Sequence, residues 1–355
     1  MTINNRLKML FIIISIYYIP YLVFDWAGVA GVRSGVAPFW YKYFRIILPI
    51  LILFAFKSLN FKEFRIKIFS VILILFNFLS NLFCLSPNIE ISIFFLYLIF
   101  FKNLELNKKV MKKFFKFSLY FSCICVYFEK NYLFKFFGVH PPFVMSWQER
   151  YIGNMAGPNT LGAFVNIIYT LLIYCEDKKY KKIIYFIISF YIIDKTDSDA
   201  AIIIFILINA YYIYINFISF FSKMIFIING FILLMIVIIK KGNNFIMDGS
   251  NITRVKMILG HINDLKLLSF KEIFNESPYF LILFSYGIIA FLIYIYILYN
   301  IYIEYIKKYK NNKKFYELKK IILFQILLYS LVLPIKFIFP MNILYVFSLK
   351  LKDKK

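Results

Sequence analysis

The residues able to do chemistry gather where polar chain interrupts an otherwise apolar sequence, in four groups. The first runs from Trp147 to Gly162 and holds Arg150, Gly153 and Gly157-Pro158-Asn159-Thr160-Leu161-Gly162. Pro158 suits a first helical turn, where its missing N–H costs nothing, and Asn159 and Thr160 can satisfy open amides there. A helix N-terminus beside Arg150 combines a dipole, backbone donors and a forked cation, which together make an anion site. The plain alternative is a loop-to-helix cap with a snorkelling arginine. The second group, Asn251 to Asp264, has apolar residues at 252, 255, 259 and 262, a helical spacing that predicts an amphipathic helix on a membrane surface. Arg254 and His261 are seven apart, nearly on one face and about 10 Å apart along the axis, and Asp264 is placed to orient the imidazole. The alternative is a surface helix with a solvated polar face.

The third group is Asn275-Glu276-Ser277-Pro278, which enters an apolar run containing Gly287. A carboxylate there either complements a helix dipole or accepts a proton from a hydroxyl. The fourth is Thr196-Asp197-Ser198-Asp199, which contains an Asp-x-Asp found in some metal-dependent glycosyltransferases and equally reads as a helix cap. Of the outside arginines expected below, Arg33, Arg45, Arg150 and Arg254, two fall in these groups.

The elements that must position these residues follow from composition. Of 355 residues, 62% are hydrophobic and only 17% charged, and mean hydropathy is +0.75. Soluble domains are about 45–50% apolar and about 25% charged. A soluble enzyme, a secreted disulfide-rich domain and a disordered chain are therefore excluded, and the expectation is an all-α polytopic membrane protein, a single integral membrane domain over residues 1–355. Apolar segments fall near 9–24, 46–57, 68–86, 89–101, 114–128, 160–175, 183–193, 200–221, 224–239, 279–299, 321–334 and 337–349, predicting about 12 transmembrane helices. The first, preceded by Arg6 and Lys8, reads as an uncleaved helix because no small-residue cleavage site follows.

The net charge of +24 lies in short clusters between apolar runs, the pattern of the positive-inside bias, so nucleic acid is not an expected partner. With both termini cytoplasmic, the inside segments hold twice as many Lys and Arg as the outside ones. That topology puts two long loops, 129–158 and 240–278, on the outside, and loops of such length are usually functional. Cys84, Cys123, Cys125 and Cys175 have no metal-ligand spacing with His140 or His261, so no metal site is expected.

In order and sidedness, these pieces resemble the O-antigen polymerase and ligase superfamily, nearest the Wzy-type bacterial polysaccharide polymerases. The resemblance is carried by Gly153-x-x-x-Gly157-Pro158-Asn159-x-Leu161-Gly162 after Arg150, the Thr196-x-Ser198 hairpin, and a large loop with Arg254. Glu276-Ser277-x-Tyr279 and Tyr286-Gly287-Ile288-Ile289 close it. It spans about residues 145–300 by motif. The resemblance implies joining of undecaprenyl-diphosphate-linked oligosaccharide units into a surface polysaccharide, O-antigen or capsule, at the outer face of the bacterial cytoplasmic (inner) membrane. Arg150 and Arg254, with Asn159, would bind diphosphate; a bidentate guanidinium suits that group. The base is open among Glu276, His261 and Asp199, with Glu276 preferred, and no cofactor need be assumed. A chain-length regulator is a partner expected by analogy. The hairpin departs from the family in holding Asp199 where an arginine is common. His261 mirrors a loop histidine of the related ligases, which keeps O-antigen ligase as an alternative. A lipid-linked oligosaccharide flippase is another, though it would carry more charge along a central cavity.

Overall fold

The computed structural model describes residues 3–17, 19, 47–48, 50–52, 64–84, 89–100, 108–130, 143–145, 148–155, 157–216, 256, 258–270, 277–307, 310–332 and 341–350. Nearly all of these are helical. In chain order the helices are α1 (Ile3–Ile16), α2 (Phe64–Cys84), α3 (Ile89–Phe100), α4 (Lys108–Lys130), α5 (Pro158–Cys175), α6 (Lys179–Thr196) and α7 (Asp199–Asn216). They continue as α8 (Pro278–Tyr286), α9 (Ile288–Ile301), α10 (Lys313–Val332) and α11 (Met341–Lys350). One short antiparallel hairpin, β1 (Phe143–Met145) and β2 (Gln148–Arg150), pairs Phe143 with Arg150.

Helix α5 is the axis of the bundle. Its 18 residues rise about 27 Å, and α4, α6, α7, α10 and α11 pack around it. Every residue from Thr160 to Cys175 is buried. Two of the polar side chains it carries inward, Asn166 and Thr170, bond across helices. Asn166 Nδ2 donates to the Ala201 carbonyl at 2.9 Å and to the Tyr329 hydroxyl at 2.6 Å. Thr170 Oγ1 donates to the Asn166 carbonyl at 2.8 Å and accepts from Gln325 Nε2 at 2.7 Å. Leaving one such group buried without a partner costs about 1–3 kcal/mol. At the start of α5, a Cβ on Gly162 would stand 2.4 Å from that of Ala201, so glycine lets α5 and α7 approach closely.

A second group of helices leans on α2, which packs against α3, α8 and α9. Tyr286 donates to Asn77 Oδ1 at 2.5 Å, and Asn77 Nδ2 donates to Ser92 Oγ at 2.6 Å. Here the sequence expectation is corrected, because the single span expected at 279–299 is two helices, α8 and α9, broken at Gly287. Gly287 has φ 94°, a region that favours glycine. The break exists because residues 266–269 bond into it. The Ile288 and Ile289 amides donate to the Lys266 and Leu267 carbonyls at 3.0 and 3.2 Å, and Ser269 N–H donates to the Tyr286 carbonyl at 3.2 Å. A side chain at 287 would meet the Leu267 carbonyl at 2.7 Å.

Among the described residues, two helices, α5 and α7, are long and apolar enough to cross a membrane. Lysines in the first turns of α4 and α6 and the shortness of α8 and α9 keep those helices from meeting that test. The expected spans at 46–57 and 224–239 lie largely or wholly outside the described residues. α5 is 94% buried and α7 only 22%. On α6, Ile183, Ile187 and Phe190 form an apolar outer stripe, each more than half exposed.

The C-terminal end of α5 is fixed by charge. The buried Glu176 carboxylate meets Lys112 Nζ at 2.8 Å and Lys116 Nζ at 3.9 Å. It also accepts from the amides of Asp177 and Lys178 and from the Tyr185 hydroxyl. Burial pushes its pKa up, but the Lys112 ammonium and the two amides outweigh burial and hold it near about 2. A folded pKa below the ordinary value of 4.5 gives stability that is full above that pH and fades as pH falls toward about 2. Thermal unfolding of the purified protein at pH 6 and pH 3 should show this loss. Glu176→Gln, costing about 3 kcal/mol at pH 6, should show a smaller drop between the two pH values.

Candidate functional site

β2 delivers Arg150 to the point where α6 ends and α5 begins. Tyr151 N–H donates to the Lys195 carbonyl at 3.1 Å, which ties the exit of the hairpin to the last turn of α6. The half-buried Arg150 then spans two elements. Its Nε donates to the Thr196 carbonyl at 3.1 Å and its Nη2 donates to Asn159 Oδ1 at 3.0 Å. Both acceptors are neutral oxygens, and the first belongs to the negative end of the α6 dipole, which favours a cation.

The turn that follows is built for reversal. Asp197 takes a left-handed conformation, φ 44°, which Asp tolerates better than most residues. Ser198 Oγ accepts from the Ala201 amide at 3.4 Å and starts α7, with Asp199 in its first turn. The helix-cap reading of this segment thus holds, with Ser198 as the capping side chain. Because Gly162 brings the starts of α5 and α7 together, two helix N-termini and one helix C-terminus converge beside the guanidinium. N-termini attract anions, so the cluster is suited to a phosphorylated ligand.

Under this cluster lies a support that the sequence did not announce. Glu129, buried at the end of α4, accepts from the Ile152 amide at 3.0 Å and the Gly153 amide at 2.8 Å. Gly153 sits at φ 52°. The buried Asn154 accepts from Ser122 Oγ at 2.8 Å and donates to the Ser15 carbonyl at 3.0 Å. The chain just after Arg150 is therefore pinned to α4 and α1. The one available signal was a carboxylate near the end of an apolar segment.

The expected site residues divide three ways. Arg150, Asn159 and the turn that opens into Asp199 are brought together. His261 stands elsewhere, against the ring of Phe284 on α8, with centroids 5.8 Å apart. Arg254 and Glu276 lie outside the described residues, although the next residue, Ser277, stands just ahead of α8 and donates its hydroxyl to the Ser330 carbonyl at 2.9 Å. The amphipathic helix expected through 252–262 is described at 258–261, where it gives way to a 3-10 turn over Ile262–Asp264. Leu259 and Ile262 are exposed there. Among the described residues no three His, Cys, Asp or Glu side chains converge as metal ligands would.

No family model matches the chain, and no curated protein matches it.

If Glu129 positions Arg150 through the backbone, Glu129→Gln should cost about 1–3 kcal/mol in thermal unfolding of the detergent-solubilised protein. An unchanged unfolding temperature would remove Glu129 from this role. Gly162→Val should be more damaging, because it forces α5 and α7 apart.

Proposed function

We propose that this chain is a membrane glycosyltransferase that polymerises undecaprenyl-diphosphate-linked oligosaccharide units at the outer face of the bacterial cytoplasmic membrane. The reading rests on one observation: Arg150 is held at the start of α5 beside Asn159, where helix N-termini and a forked cation offer a preformed seat for a diphosphate. The outer apolar stripe of α6 supports a lipid-facing bundle of about 12 spans, since soluble surfaces rarely expose contiguous large apolar side chains. Sidedness follows from charge. The α5 end bearing Glu176 is flanked by Lys178, Lys179, Lys181 and Lys182, the mark of a cytoplasmic face, which leaves Arg150 outside and both termini inside.

In the proposed reaction the hydroxyl oxygen of the acceptor sugar attacks the anomeric carbon of the growing chain. The bond from that carbon to the lipid diphosphate breaks, its electrons pass to the leaving oxygen, and the hydroxyl proton passes to a base, with Glu276 preferred. Arg150, joined by Arg254, stabilises the charge that develops on the diphosphate, the kind of preorganised contact worth about 100-fold or more in rate. His261 would be the base on the ligase reading.

Arg150→Ala and Arg254→Ala should each cut chain growth about 100-fold or more with the protein still inserted, scored as loss of the surface-glycan ladder. Arg150→Lys should restore little if the bidentate fork matters. Normal ladders in both alanine variants would refute the diphosphate assignment, and a Glu276→Gln variant at wild-type rate would remove Glu276 as base. Deletion of the gene separates the alternatives. A ladder collapsed to one unit marks a polymerase, long chains stranded on the lipid carrier a ligase, and lipid-linked units accumulating inside a flippase.

A further inference from the structure

The bundle end opposite Arg150 holds a cavity of about 330 Å³, formed where α5 and α7 end and α6 and α10 begin. Its polar lining includes Tyr174, Lys182, Tyr212, Lys313, Lys314 and Glu317, with Ile173 and Ile215 supplying apolar wall. The volume is within the range of about 300–1,000 Å³ typical of small-ligand sites.

Charge in this cavity is lopsided. Three ammonium groups face one carboxylate, and that carboxylate is already engaged: the Tyr211 hydroxyl donates to Glu317 Oε2, and Lys320, which is not part of the lining, stands 3.6 Å from it. Lys182 is oriented rather than neutralised, donating to the Tyr212 hydroxyl at 2.9 Å with its ammonium 5.4 Å from the ring centroid. Tyr174 meets Tyr212 edge to face at 5.7 Å. Its hydroxyl is buried and has no hydrogen-bond partner among the described residues, a donor left open at the cavity wall. Lys314 reaches Asp177 at 3.0 Å on the exposed rim, and Lys313 is exposed at the mouth. Next to the lining residues in sequence, Tyr180 and Ile183 on α6 and Ile213 on α7 are exposed apolar side chains.

A basic, aromatic cavity whose lining helices expose apolar side chains fits an anion carried on an acyl chain better than a free anion, and basic pockets between helices on the cytoplasmic side are where acidic lipid headgroups bind. We propose that this cavity binds the phosphate of an acidic glycerophospholipid of the inner leaflet, with Lys182, Lys313 and Lys314 on the phosphate and Tyr174 as hydroxyl donor. The inference rests on the membrane reading above but not on the polymerase reaction.

The test uses the full chain, purified in detergent and delipidated, with phosphatidylglycerol, phosphatidylcholine and inorganic phosphate as probes. Retention is read by native mass spectrometry and stability by thermal unfolding. Phosphatidylglycerol should be retained at one copy and raise the unfolding temperature, whereas phosphatidylcholine should do neither. Lys182→Gln/Lys313→Gln/Lys314→Gln should weaken phosphatidylglycerol at least tenfold. Lys307→Gln/Lys310→Gln, on exposed lysines outside the cavity, should leave it unchanged. If the triple variant does not fold, the exposed Lys313→Gln alone should weaken retention about threefold, as expected for loss of one charged contact worth about 0.7 kcal/mol. Equal retention by the cavity variants and wild type, equal loss in the control variant, or equal binding of phosphatidylcholine overturns the proposal. Stabilisation by inorganic phosphate with no lipid retained overturns its lipid half. None of these readouts involves glycan synthesis, so a failed polymerase assay would leave the result standing.

Discussion

Enclosure of α5 is the constraint on which the rest depends. Five other helices surround it, and the Asn166 amide N–H groups and the Thr170 hydroxyl take their cross-helix partners from α7 and α10. Those bonds fix the rotation of the central helix. Once it is fixed, its first turn presents Asn159 to Arg150 and its last turn delivers Glu176 to Lys112 and Lys116. The two charged clusters are therefore one device seen from its two ends. A twist of α5 that improved either would misplace the other.

The ends are nevertheless built differently. At the Arg150 end, the guanidinium donates to the Thr196 carbonyl and to Asn159 Oδ1 beside the start of α5. At the Glu176 end, a buried carboxylate is matched within the protein by two lysines and two amides, which makes a closed structural joint. Beside that joint lies the lysine-rich cavity, whose single acid is already bonded elsewhere. Compensated charge closes the Glu176 joint, and the excess of lysine makes the cavity beside it suited to an anion.

Much of this was legible in the sequence where function coincides with punctuation. The Gly157-Pro158-Asn159 start of α5, Arg150 ahead of it and the polar Thr196–Asp199 turn all interrupt apolar chain, and the structure joins them. What was not legible depends on distance along the chain. Glu129 meets its amides 23 and 24 residues later, and Asn154 meets Ser15 across 139 residues, separations that carry no periodic signal. Gly287 was visible as a glycine but not as a break, because the break is made by the backbone of 266–269. The lysines of the cavity were read only as a topology signal, since that bias places lysines on the inner face whether or not they line anything. His261 was grouped with Arg254 by helical spacing, yet the helix does not continue past His261 and the imidazole turns to Phe284.

The long-range bonds of α5 also set an order of assembly. Asn166 is joined to Tyr329 across 163 residues and Thr170 to Gln325 across 155. At a synthesis rate of about 5–20 residues per second, α5 emerges about 8–30 s before α10, whereas a helix forms within about a microsecond. Throughout that interval the amide and hydroxyl of the central helix lack their final partners. The middle of the bundle is thus locked late in biogenesis, when α10 arrives to close it.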